Sequence, residues 1–323
     1  MSLHTHIKRL AMAATLLVSA SAIGSTYPDK TVTLVVPYPA GGATDVIARM
    51  IAEKLPATWN QQVVVTNRAG AGTTLAAESV ARSPGDGYTL FMTTAAHTIS
   101  ASLYKNLKYD PIKDFAPVTL VSTIPLVLVT TPSLPVNNLK ELIEYGKKQK
   151  DGLSMASTGN GTPQHLTGEL FKSKAGLNLV HVPYKGDSPM ITDLLGGQVQ
   201  MAFVTLSAAL PHIKAGKLKA IALAHPKRVE AIANVPTMTE AGMPGFNAAT
   251  WFGLFAPASL PPALQEKIYQ DVSRIVATPE MTKKLQDMGG DVNNSSPAEF
   301  KKIIDAEVKN WAEGVRLSGA KVD

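Results

Sequence analysis

Thr31-Val32-Thr33-Leu34-Val35-Val36-Pro37-Tyr38-Pro39-Ala40-Gly41-Gly42-Ala43-Thr44-Asp45 is the stretch whose reading decides the fold. Its first part is β-branched and almost wholly apolar, the pattern of a strand covered on both faces. Pro37 to Gly42 reads as a loop. Beyond it, Ile47, Met50, Ile51 and Leu55 recur at helical spacing, so a helix follows with Thr44 or Asp45 expected as its N-cap. A buried strand that passes through a glycine loop into a helix is half of a βαβ unit. It implies a parallel sheet with helices packed on it.

The same grammar continues downstream. Gln62 to Thr66 reads as the next strand, Thr74 to Arg82 as a helix, Pro84-Gly85-Asp86-Gly87 as a turn and Tyr88 to Thr93 as a third strand. Val118 to Val121 and Leu126 to Thr130 then read as two extended pieces separated at Pro125. A second unit follows, with a helix from Leu139 to Lys148 capped by Asn138 and a strand from Leu153 to Ser157. A second glycine loop, Thr158 to Thr162, opens a helix with Thr162 as N-cap and Pro163 at its first position. Strands Leu179 to Val182, Val199 to Val204, Lys219 to Ala224 and Trp251 to Pro257 complete the pattern, before a largely helical C-terminal part. Trp251, Phe252 and Phe255 read as core, with one of them available to wall a cleft. Two α/β units therefore occur without a Pro/Gly/Ser-rich linker between them. Strands that cross from one to the other, with a hinge and a cleft, are the expected connection.

Both glycine loops end at a helix N-terminus. The first N–H groups of a helix have no intrahelical partner, and the helix dipole adds partial positive charge there. Glycines let a ligand approach that backbone closely. Each loop is thus a place for an anion such as a carboxylate, at the end of a strand where α/β proteins bind ligands. Tyr38, Ala40, Gly41, Gly42, Thr44 and Asp45 are candidates in the first loop. Ser157, Thr158, Asn160, Gly161 and Thr162 are candidates in the second, and Thr205 after the strand Val199 to Val204 adds a hydroxyl. Facing each other, the loops would hold the two ends of a dicarboxylate, or one carboxylate and a polar tail. Asp45 has three readings at this stage: an ordinary acid of a first helical turn, a receiver of an ammonium group, or a brace for the loop.

The N-terminus carries Lys8 and Arg9, then an uncharged apolar stretch from Leu10 to Ile23, then Ala20-Ser21-Ala22 as a small-x-small cleavage signal. The stretch is shorter than the roughly 20 residues a spanning helix needs. Residues 1–22 are expected to be a secretory signal peptide, with an uncleaved anchor as the alternative. The sequence holds no cysteine. Disulfides, thiolate metal sites and a lipid-modified cysteine are excluded from the expectation, which is a periplasmic location.

Composition and motifs remove other classes. The net charge is +6, from 31 basic and 25 acidic residues, with no basic run or aromatic-interleaved patch, so no nucleic-acid partner is expected. Neither glycine loop is a P-loop, and Gly70-x-Gly72 and Gly159-x-Gly161 lack the third glycine of a dinucleotide fingerprint, with Leu75 and Gln164 standing there. No nucleophile elbow or zinc-helix motif occurs. His97, His165, His181, His212 and His225 lack metal-ligand spacing. No cofactor, metal or catalytic residue is expected.

Taken in order, Val35-Val36-Pro37-Tyr38-Pro39-Ala40-Gly41-Gly42-x-Thr44-Asp45, Asn67-Arg68-x-Gly70-Ala71-Gly72, Pro84-x-Asp86-Gly87-Tyr88-Thr89-Leu90, Gly161-Thr162-Pro163-x-His165-Leu166, His181-Val182-Pro183-Tyr184-Lys185-Gly186 and Trp251-Phe252-Gly253-Leu254 resemble the Bug-type substrate-binding proteins of tripartite tricarboxylate transporters. The resemblance implies an α/β, two-lobed periplasmic binding protein of type II-like architecture, with a ligand cleft between two parallel-sheet domains joined by crossing strands. Lobe 1 would comprise residues 23–123 and 225–323, and lobe 2 residues 124–224. It further implies that Tyr38, Ala40, Gly41, Thr44 and Asp45 face Ser157, Thr158, Asn160 and Thr162 around a ligand carboxylate. It implies a small ligand (a di- or tricarboxylate, an amino acid or an aromatic acid), membrane-embedded partner subunits and a monomeric receptor. Two rival readings are a ligand sensor feeding a kinase and a secreted enzyme on the same fold. The chain departs from the pattern at Thr66, Ala69 and Thr73. At Thr205 many relatives carry an acid or amide. A hydroxyl there argues against a ligand with a positively charged second end.

Overall fold

The computed structural model describes residues 27–318 and residue 320. The expected signal peptide lies outside the described residues. The first part of the chain contains β1 (Val32–Val36), α1 (Ala43–Lys54), the single turn α2 (Pro56–Trp59), β2 (Val63–Asn67), α3 (Thr74–Ala81), β3 (Thr89–Thr94) and α4 (Ala96–Leu103). The long strand β4 (Phe115–Thr130) leads into α5 (Leu139–Lys148), β5 (Leu153–Ser157), α6 (Pro163–Ala175), β6 (Leu179–Pro183), α7 (Asp187–Leu195), β7 (Met201–Thr205), α8 (Leu206–Lys214) and β8 (Lys219–Leu223). The chain returns through β9 (Ala249–Pro257) and ends with α9 (Pro262–Val276), α10 (Pro279–Asp287), the short β10 (Asp291–Val292) and α11 (Pro297–Ser318).

The strands follow the order β2-β1-β3-β9-β4-β7-β5-β6, with β8 and β10 also on β4. β1 pairs in parallel with β2 and β3, and β5 with β6 and β7, as the βαβ patterns require. β9 runs antiparallel to β3 and to β4, and β7 and β8 run antiparallel to β4. Both sheets are therefore mixed rather than parallel. The reason is that β4 and β9 cross between the lobes in opposite directions, and a crossing pair enters each parallel sheet with one strand reversed.

β4 itself corrects the expected break at Pro125. It is one strand whose partners change along its length. Phe115 to Pro125 pair with β9, and Leu126 to Thr130 pair with β7. Pro125 opposes Ala249 at the end of the first ladder, beside Leu126, which opposes Thr205 at the start of the second. A missing N–H at the seam between two ladders leaves the strand intact.

One large core cluster runs through both halves, joining Val32, Leu34 and Ile47 to Met190, Val204 and Leu223, and a smaller aromatic core lies in each half. Phe91, Phe115, Phe255, Trp251 and Phe300 pack together in the first, with the ring of His97 buried among them. Gly253 is where Phe300 of α11 comes against β9; a Cβ there would collide with the ring. In the second, Phe203 lies between Phe171 and Phe246. Residues after β8 stay with this half: Met238, Met243 and Phe246 share its core, and the Ala248 N–H donates to Ala224. Trp251, Phe252 and Phe255 are all buried, as their pattern required.

Candidate functional site

The first glycine loop is held from within. Gly41 sits at φ +86°, and Gly42 rather than Thr44 or Asp45 is the N-cap of α1. The correction has a physical reason: the acid reaches back from the third helical position. One carboxylate oxygen of Asp45 accepts the Gly41 N–H at 2.9 Å and the Arg49 guanidinium at 2.9 Å. Its other oxygen accepts the Asn67 amide at 2.8 Å, and that amide also donates to the Tyr38 carbonyl. Burial pushes the Asp45 carboxyl up, but Arg49, the Gly41 N–H and Asn67 together hold it below the usual range. Asp45 is fully occupied as a brace. The Tyr38 hydroxyl shares a 2.9 Å hydrogen bond with Thr94, and burial raises its pKa.

The second loop is built the same way. Gly159 and Gly161 sit at φ +134° and +74°. Thr162 caps α6 by accepting the His165 N–H and donates to the Gly159 carbonyl. Ser157 accepts the Gly159 N–H and lies 2.6 Å from His181 Nε2. His181 stacks on His165 at 3.9 Å, and His165 Nδ1 accepts the Gly161 N–H. Burial lowers both imidazole pKa values. Ser157 and His181 thus form a hydroxyl–imidazole pair that the sequence spacing did not reveal. It buttresses the loop: Ser157 is fully buried and its oxygen is engaged by the loop backbone.

The loops meet across the cleft. The Tyr104 hydroxyl, on the first half, donates to the Asn160 carbonyl at 3.3 Å. Ser188 donates to the Ala40 carbonyl at 3.0 Å, and the Ala43 N–H donates to Asp187 at 3.4 Å. Between the loops, in this closed arrangement, lies a small space of about 10 Å³, room for a single water. Of the expected site residues, Tyr38, Thr44, Thr158 and Thr205 line it. Gly42, Asp45, Ser157, Gly161 and Thr162 support its walls instead. Ala40 and Gly41 are exposed at the rim, and Asn160 lines an open groove with Gly72, Tyr104 and Tyr184.

Thr94, Gln164, Asp187, Thr250 and Phe252 complete the lining. The sequence reading raised only Phe252 among these, as one possible cleft wall. Gln164 occupies the second position of α6 and donates to Thr205 at 3.0 Å. Thr94 and Thr250 lie at the end of β3 and near the start of β9. Asp187 follows Gly186 and opens α7, so a third strand–glycine–helix pattern was there to be read. Three polar oxygens around the space are buried without a partner: Thr158 Oγ1, Thr250 Oγ1 and Asp187 Oδ1. Burial raises the Asp187 pKa to about 6, against the Ala43 N–H, which lowers it. Among the described residues no group of histidines and carboxylates is placed to hold a metal ion, and no helix is long and apolar enough to cross a membrane.

Residues 47–319 match the family model of the tripartite tricarboxylate transporter family receptor. The chain belongs to this family. The family is one of periplasmic solute-binding receptors, so the chain is a receptor and not an enzyme. The structure is similar to that of the periplasmic binding protein BugD, at 36% identity and a TM-score of 0.88 over 91% of this chain and 99% of that one. It is similar to Rpa4515 of R. palustris solved with adipate, at 34% identity and a TM-score of 0.89 over 92% and 100% of the two chains. It is also similar to MatC of Rhodopseudomonas palustris with bound malate, at 33% identity and a TM-score of 0.85 over 90% and 100%.

Proposed function

We propose that this receptor captures a small carboxylate between its lobes in the periplasm and presents it, unchanged, to the membrane subunits of a tripartite transporter. The observation that carries the reading is the polar lining of the space between the lobes, which is closed down to about the size of one water here and must widen as the lobes part to admit a ligand. The space lies between two helix N-termini and is walled by hydroxyls and amides. Two of those hydroxyls, on Thr158 and Thr250, are buried with no protein partner. Buried polar groups are normally satisfied, so these point to a polar ligand. The adipate and malate in the two related structures support a carboxylate.

Lobe 1 then begins at residue 23 and lobe 2 at the seam of β4. The packing of Met238, Met243 and Phe246 favours a return crossing at Ala248–Ala249 in place of residue 225. The two connections, at the seam of β4 and at the start of β9, form the hinge. Residues 1–22 direct export, and the receptor works as a monomer.

The test is a thermal-shift screen of residues 23–323 against dicarboxylates, citrate-like acids, amino acids and aromatic acids, followed by calorimetry. A ligand that binds only the folded chain raises the melting temperature. A rise with one class, at one site per chain, is the expected result. No rise with any carboxylate, from protein shown by native mass spectrometry to be empty, overturns the proposal.

A further inference from the structure

Asp187 differs from every other group around the enclosed space in bearing a formal charge. Its Oδ2 already takes the first N–H of α1, at Ala43. Its Oδ1 is buried and has no partner. No lysine, arginine or histidine of the described residues lies in ion-pair contact with it, and Lys185 close by in sequence is exposed. The remaining lining near it is neutral: Thr44, Thr158, Gln164, Thr205 and Thr250.

This arrangement divides the space. The anion position at α1 is occupied by the protein's own carboxylate, so a ligand carboxylate is left with the rest of the lining, the α6 N-terminus and the unpartnered Thr158 and Thr250 hydroxyls. Whatever the ligand places beside Asp187 must donate. A second carboxylate there would bury two like charges together, which is strongly unfavourable. A hydroxyl would satisfy Oδ1. An ammonium would satisfy it and neutralise the charge.

We propose that Asp187 is the specificity-determining residue of this receptor and selects a ligand carrying an ammonium beside its carboxylate, that is, an amino acid. The inference rests on the enclosed space being the carboxylate site. It reverses the expectation drawn from Thr205: the acid absent there is supplied from the start of α7.

Calorimetry with matched probes tests it. Each common amino acid is compared with its 2-hydroxy and its des-amino counterpart, so that only the group facing Asp187 changes; alanine, lactate and propionate form one such set, and aspartate, malate and succinate another. The expected result is an amino acid that binds about tenfold or more tighter than its des-amino counterpart, with the hydroxy acid between them. In Asp187→Asn that ratio collapses, chiefly through loss of amino-acid affinity. The wild-type ratio is decisive whether or not the variant folds. A des-amino acid or a simple dicarboxylate as the tightest ligand overturns the inference and leaves the receptor reading standing. An unchanged ratio in a folded Asp187→Asn protein also overturns it. Failure of every carboxylate to bind overturns both readings.

Discussion

The carboxylate of Asp45 accepts the N–H of Gly41 at 2.9 Å, so the first glycine loop is closed by a side chain from its own helix. The same carboxylate gathers Arg49 and Asn67, and Asn67 in turn holds the Tyr38 carbonyl. Removing it in Asp45→Ala leaves the Gly41 N–H without its acceptor and takes one of the two acceptors of the Asn67 amide. Each such loss costs about 1–3 kcal/mol. The expected outcome is a destabilisation of that order in urea melts and a ligand affinity lowered about tenfold as the loop loosens. Unchanged affinity together with an unchanged melt would remove Asp45 from its role as a brace.

Gly72 offers a test of closure. It lies at φ +57° on the first half of the molecule, and a Cβ there would collide with the Asn160 carbonyl of the second half and with the Tyr104 hydroxyl. Backbone does not yield as a flexible side chain does. Gly72→Ala is expected to hold the lobes apart. Its own left-handed strain costs about 1 kcal/mol and is not enough to unfold the chain. Small-angle scattering should show no ligand-induced compaction in the variant, and affinity should fall about tenfold or more. Wild-type compaction and affinity would show that this contact does not limit closure.

The buried imidazoles give the fold an acid-sensitive side. His97 is fully buried among Phe91, Phe115 and Phe255, and burial lowers its pKa to about 4; His165 and His181 are lowered by burial too. Each folded-state pKa lies below that of the unfolded chain. The unfolded state therefore binds more protons, and stability is present above about pH 6.5 and lost as pH falls towards the folded values. At pH 5, His97 alone removes about 2 kcal/mol. The melting temperature should drop by several degrees between pH 7 and pH 5. His97→Phe, which keeps the ring contacts without the titration, should flatten the curve; an unaltered slope would place the sensitivity elsewhere.

What could be read from the sequence was whatever local pattern controls. The run Val32–Val36 had to be a buried strand, and Thr162-Pro163 and Asn138 had to start helices, because those residues answer backbone needs within one turn. Tyr38, Thr44, Thr158 and Thr205 were within reach because they stand on or beside such junctions. The continuity of β4 through Pro125 was hidden, since it depends on β9 and β7 arriving from far along the chain. Thr94, Gln164 and Thr250 were hidden for the same reason: nothing local marks a threonine at a strand end as facing another lobe. The engagement of Asp45 by Asn67 is likewise a long-range hydrogen bond. Asp187 is the instructive omission, since its strand–glycine–helix setting was visible in the sequence and the acid itself was passed over.

That acid carries the last prediction. Its folded-state pKa, raised to about 6 by burial, lies above the value of about 3.8 from which it starts. Between those two values the folded chain holds the proton and the unfolded chain does not, so here stability falls as pH rises, opposite in sign to the histidines. In the closed, ligand-free receptor, Asp187→Asn should therefore be more stable than wild type at pH 7.5, by up to about 3 kcal/mol. The difference should fade towards pH 4. Comparing the two proteins at each pH cancels the histidine contribution, which both share. Urea melts at pH 4 and pH 7.5 are sufficient. A stability difference that stays constant between them would mean that Asp187 ionises as freely in the folded receptor as in the unfolded chain, and that its carboxylate is not the confined charge that its buried, unpartnered oxygen indicates.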